Sequence, residues 1–139
     1  MNFLLDTNTV SALRIRGRHP EVEKRSETVP LTAQFISAPT LAEIERGVTS
    51  KERQGSCQRL VLRGWLEERL LPGFAGRIHV FDVWAARVLG LFRVPEHVPL
   101  DDVLIASIAV AKGMTVATRN TRHFEPLEGV RLVNPWVSH

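Results

Sequence analysis

Short apolar runs alternate with longer segments of helical periodicity along this chain, and that alternation constrains the fold more than any other feature. The apolar runs lie at residues 3–5, 35–36, 78–81, 114–117 and 130–133. Runs this short, in which most positions are apolar, are typical of strands buried on both faces of a parallel sheet. With helices between them, they predict a three-layer α/β/α domain with a central parallel sheet over residues 1–139.

Residues that commonly begin or end helices predict where several of the helices lie. Residues 6–8 read Asp-Thr-Asn directly after the first apolar run, and side chains of these types accept hydrogen bonds from the first turn of a helix. Pro39 suits the first turn of the helix after the second run, in which Leu41, Ile44 and Val48 keep helical spacing, and Gly47 is expected to lie near the end of that helix. Asp101 or Asp102 is expected to cap the strongly apolar helix that precedes the fourth strand.

Composition and charge narrow the classes of protein without identifying one. Hydrophobic residues make up 44% of the chain and charged residues 24%, which is typical of a soluble globular domain. Cys57 has no second cysteine for a disulfide, and the sequence shows neither a cationic leader nor about 18 consecutive apolar residues. A cytoplasmic protein without a membrane span is therefore expected. The net charge of +3 is a mild bias toward anionic partners.

Three acids occupy related places in the predicted layout. Asp6 follows the first strand, Glu43 lies in the first turns of the helix after the second strand, and Asp102 begins the helix before the fourth strand. Ligands of open parallel sheets bind beyond the carboxyl ends of the strands. We therefore expect these three side chains to meet in one crevice.

Carboxylates packed together repel one another, so such a crevice favours a cation. Oxygen ligands suit Mg²⁺ or Mn²⁺, and these ions activate water and stabilise charge on a phosphoryl oxygen. The three acids together predict phosphodiester hydrolysis. Taken singly, each has an ordinary explanation: Asp6 and Asp102 as helix caps, and Glu43 as a solvated helix residue.

Six segments of the chain, in order, form a pattern that a known family shares. They read LLDTN at 4–8, ISAPTLAEI at 36–44, RIHVFD at 77–82, DVLIA at 102–106, VATRN at 116–120 and NPW at 134–136. Over essentially its whole length the chain resembles PIN-domain proteins, and most closely the VapC-type and FitB-like toxins of bacterial toxin–antitoxin pairs. By this resemblance Asp6, Glu43 and Asp102 match the metal-binding acids of the family, which implies a Mg²⁺- or Mn²⁺-dependent ribonuclease whose products carry 5′-phosphate and 3′-hydroxyl ends.

The chain departs from the family pattern at the fourth acid. By the resemblance this acid is expected at one of two positions, where the chain has Asn120 and, directly before a phenylalanine, His123. Asn120 remains a candidate catalytic residue, since its amide oxygen accepts a hydrogen bond from bound water, but it supplies no charge. The number of bound ions therefore stays open at one or two, and His123 is expected to be a surface histidine. Thr7 and Thr118 are either orienting hydroxyls or caps. Arg119 is either a phosphate contact or a member of a surface salt bridge.

Partners follow mainly from the resemblance. It implies an RNA substrate, a cognate antitoxin that is often a DNA-binding protein, and a second copy of the chain in a homodimer. Residues 14–25 carry five Lys or Arg and two Glu, and are either an RNA backbone contact or a solvated face. One apolar stripe belongs either to the core or to an interface with another molecule, and the core is the favoured interpretation. It consists of Trp65, Leu66, Leu70 and Leu71.

A second class of function remains open, in which the fold binds protein or RNA without cleaving it. The missing fourth acid favours this alternative. Other classes are disfavoured: a haloacid-dehalogenase-like phosphatase needs an acid two residues after the first, and the chain has Asn8 there. No glycine-rich dinucleotide or phosphate-binding loop occurs, and Cys57 lies in a polar stretch without a nucleophile motif.

Overall fold

A computed structural model describes residues 1–137 and shows a sheet of five parallel strands in the order β3-β2-β1-β4-β5. The strands are β1 Phe3–Leu5, β2 Gln34–Ser37, β3 Ile78–His79, β4 Thr115–Ala117 and β5 Arg131–Val133. The predicted parallel sheet is confirmed, although β3 ends two residues earlier than the apolar run suggested. From β1 the chain goes on to β2, toward one edge of the sheet, and from β4 it goes on to β5, toward the opposite edge. The topological switch point therefore lies between the neighbouring strands β1 and β4.

Helices connect the strands and cover both faces of the sheet. The helices are α1 Thr7–Ala12, α2 Pro20–Glu27, α3 Ala38–Arg53, α4 Arg59–Trp65, α5 Leu71–Gly73, α6 Val83–Leu89, α7 Leu100–Lys112 and α8 Thr121–Phe124. A π-helical turn, Leu66–Leu70, joins α4 to α5. Within residues 1–137 no helix is both long and apolar enough to span a membrane.

Two separate cores lie on opposite faces of the sheet, because successive strand residues point to opposite sides. Leu4 belongs to the core under α6, α7 and α8, and Leu5 belongs to the core under α1, α3 and α4. The apolar stripe identified in the sequence belongs to the second core: Leu66 and Leu70 are buried, and Trp65 and Leu71 pack against the same cluster. The core interpretation of that stripe is confirmed.

Two predicted helix boundaries are wrong. Gly47 lies within α3, which continues to Arg53 because Ile44 and Val48 keep an apolar face buried across it. The helical cost of a glycine, about 1 kcal/mol, is small against that burial.

Neither Asp101 nor Asp102 caps α7. The N-cap is Pro99, which makes no side-chain capping hydrogen bond, and both acids lie in the first turn of the helix. Acids in a first turn interact favourably with the positive end of the helix without using their side chains as caps. The Asp102 carboxylate is therefore available to a neighbouring element.

Candidate active site

An acidic cleft of about 220 Å³ lies beyond the carboxyl ends of β1 and β4, at the switch point of the sheet. It is lined by Asp6, Thr7, Asn8, Glu43, Pro99, Asp101, Asp102, Ile105, Asn120 and His123. Four of these side chains are acids, and none is Lys or Arg. The three acids that the sequence placed in one crevice line this cleft together, although they come from segments dozens of residues apart.

Asp6 is the most buried of the acids, with 5% of its surface exposed. It caps α1, where its Oδ1 accepts hydrogen bonds from the Thr9 backbone N–H at 3.1 Å and the Thr9 hydroxyl at 3.2 Å. Its Oδ2 accepts a hydrogen bond from the Thr118 hydroxyl at the end of β4. Burial raises the pKa of Asp6 above its usual value, these hydrogen bonds oppose that shift, and the charge of Asp102 adds to it.

Glu43 reaches the cleft from the second turn of α3. Its Oε2 accepts a hydrogen bond of 3.0 Å from the hydroxyl of Thr7, the first residue of α1. Partial burial raises the pKa of Glu43, the Thr7 bond opposes that shift, and the charges of Asp101, Asp102 and Asp6 reinforce it. The carboxylates therefore interact electrostatically across one cavity.

Asp102 has a partner that sequence reasoning missed. Its Oδ2 lies 2.7 Å from Nδ1 of His123 on α8. Burial raises the pKa of Asp102, and the hydrogen bond to His123 opposes that shift. The sequence predicted a surface histidine rather than a ligand. His123 is partly exposed, and the structure adds its contact with Asp102, because the buried Phe124 fixes α8 so that the preceding side chain lines the cleft. The available signal was its position, at which the family resemblance leads one to expect an acid.

Within residues 1–137, no three His, Cys, Asp or Glu side chains lie close enough together, as placed, to hold a metal ion. Three of the four cleft carboxylates are each turned to a donor: Asp6 to Thr118, Glu43 to Thr7 and Asp102 to His123. The chemistry of the cleft nevertheless fits a hard cation, since its lining is rich in carboxylate oxygen and carries no Lys or Arg. The structure brings the predicted acids into one cleft, and a shared ion stays a prediction.

The secondary candidates divide between the cleft and its rim. Thr118 orients Asp6 and also accepts a hydrogen bond from the backbone N–H of Asn120. Thr7 orients Glu43 rather than its sequence neighbour Asp6. Asn120 is exposed and lines the cleft. Arg119 stacks over the Trp136 ring, 5.3 Å from its centroid.

Asp6→Asn is expected to stabilise the metal-free protein by about 0.5–2 kcal/mol near neutral pH. The pKa of Asp6 is raised in the native state, so the native protein keeps this proton to a higher pH than the unfolded chain does. The wild-type free energy of unfolding therefore falls as the pH rises through the raised pKa, and the variant lacks this loss. Urea denaturation in EDTA at about pH 4 and pH 8 measures the difference, which should be larger at the higher pH.

The exposed Glu128 supplies the control for that comparison. Glu128→Gln should change the free energy of unfolding by less than about 0.5 kcal/mol at both pH values. An Asp6→Asn protein that is less stable than wild type at both pH values would show that the hydrogen bonds of the carboxylate outweigh its burial cost.

A parallel sheet covered by helices on both faces, with acids at its switch point, defines the class of α/β/α domains that bind ligands at the carboxyl edge of the sheet. No protein-family model matches the chain. Several individual proteins are nevertheless similar to it in sequence. Ribonuclease VapC14 of Mycobacterium tuberculosis is 49% identical over 81 residues, which are 58% of this chain and 74% of that protein. Toxin FitB of Neisseria gonorrhoeae is 33% identical over 139 residues, covering 96% of this chain and 98% of that protein.

The solved structures agree with the relatives found by sequence. A structure of FitAB bound to an IR36 DNA fragment matches with a TM-score of 0.84 and 30% identity, covering 99% of this chain and 97% of that one. This chain belongs to the PIN-domain family, among its VapC-type and FitB-like members.

Proposed function

We propose that this protein is a ribonuclease that hydrolyses RNA phosphodiester bonds in the acidic cleft. One observation carries the proposal: four acids and no Lys or Arg line a cleft at the switch point of the sheet. The proposal is supported by the membership of the family and by the name of the relative VapC14, a ribonuclease.

Asp6, Glu43 and Asp102 are the residues that would hold a divalent cation, Mg²⁺ or Mn²⁺. When bound, such an ion lowers the pKa of water and stabilises the charge that develops on a phosphoryl oxygen. The chain's own residues orient the carboxylates: Thr118 holds Asp6, and His123 holds Asp102. Glu43 and Asp102 are only partly buried, and both line the same cleft as Asp6.

The partners belong to the same proposal. The relative FitB is named a toxin, and its structural counterpart is FitAB on DNA. We therefore expect this chain to be the toxin of a toxin–antitoxin pair, silenced by an antitoxin that itself binds DNA. A homodimer remains an expectation from the family resemblance.

The chemistry of the RNA ends tests the proposed reaction. Structured RNA incubated with the purified protein and Mg²⁺ or Mn²⁺ should yield fragments with 5′-phosphate and 3′-hydroxyl ends, because water attacks the phosphorus and the bond to the ribose 3′ oxygen breaks, with that oxygen leaving as a hydroxyl. EDTA should abolish the cleavage. Fragments that end in a 2′,3′-cyclic phosphate would contradict the proposal, since they arise from attack by the ribose 2′-hydroxyl.

A binding module without catalysis is the second candidate, and one observation favours it. At the place of the family's fourth acid the chain presents Asn120, which is uncharged, and His123, which already contacts Asp102. Absence of cleavage across several RNAs with either metal ion, together with RNA binding, would favour this candidate.

A further inference from the structure

We propose that a groove beside the acidic cleft binds the single-stranded RNA that flanks the cleaved bond. This inference deepens the proposed function and rests on it. The groove has a volume of about 450 Å³. We call it the Trp136 groove, and it is lined by Asn8, Ser11, Ala12, Arg18, His19, Arg119, Asn120 and Trp136.

The Trp136 groove adjoins the acidic cleft. Asn8, in the first turn of α1, and Asn120, the N-cap of α8, line both cavities. A strand lying in the groove therefore passes close to the carboxylates. Both shared residues are uncharged amides, which accept and donate hydrogen bonds without repelling a phosphate.

The two cavities have opposite charge. The acidic cleft contains four acids, whereas the Trp136 groove has Arg18 and Arg119 and no Asp or Glu among its described lining residues. A phosphodiester strand needs this division, because the phosphates beside the cleaved bond favour Arg. The acids of the neighbouring cleft suit a cation that would contact both the carboxylates and the cleaved phosphate.

Trp136, Arg119 and His19 lie against one another in the groove. The Arg119 guanidinium lies over the Trp136 ring at 5.3 Å, and the His19 ring meets Trp136 edge-on with 5.9 Å between centroids. The indole N–H of Trp136 also donates to Nδ1 of His19 at 3.4 Å. Arg119 is nevertheless exposed, so its outer face and its donors remain accessible.

These planar groups favour a nucleic acid strand over an acidic peptide. Unpaired bases stack on aromatic rings and on guanidinium planes, and each stacked base contributes about 1–3 kcal/mol. Bases within a duplex are already stacked on one another and are not free to do so. Because every base has a flat face, the groove should supply affinity for a single strand with little sequence selection.

Fluorescence anisotropy in EDTA tests the inference without cleavage, using a labelled single-stranded RNA of about a dozen nucleotides. We expect Arg119→Gln to weaken binding about tenfold or more, and to reduce the slope of log affinity against log salt by about 0.7, the value for one lost phosphate contact. Trp136→Leu should weaken binding at least about fivefold. Double-stranded RNA should bind less tightly than the single strand.

Arg87→Gln is the matched control, because Arg87 stacks over Trp84 at 5.8 Å and lines neither cavity. Circular dichroism of each variant checks that the fold is retained. The inference is overturned if Arg119→Gln and Arg87→Gln bind the RNA equally, or if polyglutamate of the same charge competes as well as unlabelled RNA. If wild type cleaves RNA and the groove variants bind it as wild type does, the proposed function stands and only the groove is overturned. If binding depends on the groove but no RNA is cleaved, the groove stands and the proposed ribonuclease function is overturned.

Discussion

Asp6→Asn is expected to reduce the rate of RNA cleavage about a thousandfold. Asp6 is the most buried carboxylate of the cleft, and hydrogen bonds from Thr9 and Thr118 fix it at the end of β1. The amide removes the charge that would hold the cation. Stabilisation of phosphoryl charge by a bound ion is worth several kcal/mol, and about 1.4 kcal/mol corresponds to each factor of ten in rate. Initial rates on a labelled RNA, with Mg²⁺ or Mn²⁺ present, measure the effect.

Two substitutions on α3 make that result specific. Glu43→Gln should show a loss of similar size, because Glu43 lines the same cleft. Glu45→Gln is the control on the same helix: Glu45 is exposed and pairs with Arg63 at 2.7 Å, away from the cleft. It should retain wild-type cleavage and lose no more than about 1 kcal/mol of stability. Equal cleavage by wild type and Asp6→Asn would point to a contaminating nuclease or another site.

Phe124→Ala is expected to lower the free energy of unfolding by about 3–5 kcal/mol. Phe124 is fully buried and ends α8, packing into the core under α6 and α7. Its truncation leaves a cavity directly behind the segment that carries Asn120 and His123. Because domains of this size have a total stability of about 5–15 kcal/mol, the loss should be evident in urea denaturation.

Phe124→Leu is the control that distinguishes a loss of core packing from a general failure to fold. It keeps most of the apolar volume, so the loss should be clearly smaller than that of Phe124→Ala, and the protein should remain folded. A Phe124→Ala protein as stable as wild type would contradict the placement of α8 against the core.

Fold class was predictable because it depends on patterns that local sequence carries. Apolar runs such as residues 3–5 and 114–117 predicted strands that the structure contains. Helix ends were less predictable, since Gly47 is a local signal that the buried residues Ile44 and Val48 override. The start of α7 was also mispredicted. Its N-cap, Pro99, makes no side-chain capping hydrogen bond, so the usual sequence signal of a capping side chain is absent there.

The membership of the cleft was also predictable, because the carboxyl ends of parallel strands meet at one edge of a sheet. The detailed pairing was not. Thr7 is adjacent to Asp6 in sequence and yet donates to Glu43, because the first turn of α1 directs its hydroxyl toward α3. The contact between His123 and Asp102 joins α8 to α7, and only the packing of both helices fixes that distance.

Isothermal titration calorimetry of Mn²⁺ into the metal-free protein tests the central claim, that the carboxylates of one cleft hold a divalent cation. Wild type and Glu45→Gln should bind with the same affinity. Asp6→Asn should bind about a hundredfold more weakly or not at all, since even outer-shell partners of a metal contribute about 10–100-fold to its affinity. Absence of binding by wild type, even with single-stranded RNA present, or equal binding by wild type and Asp6→Asn, would contradict the account.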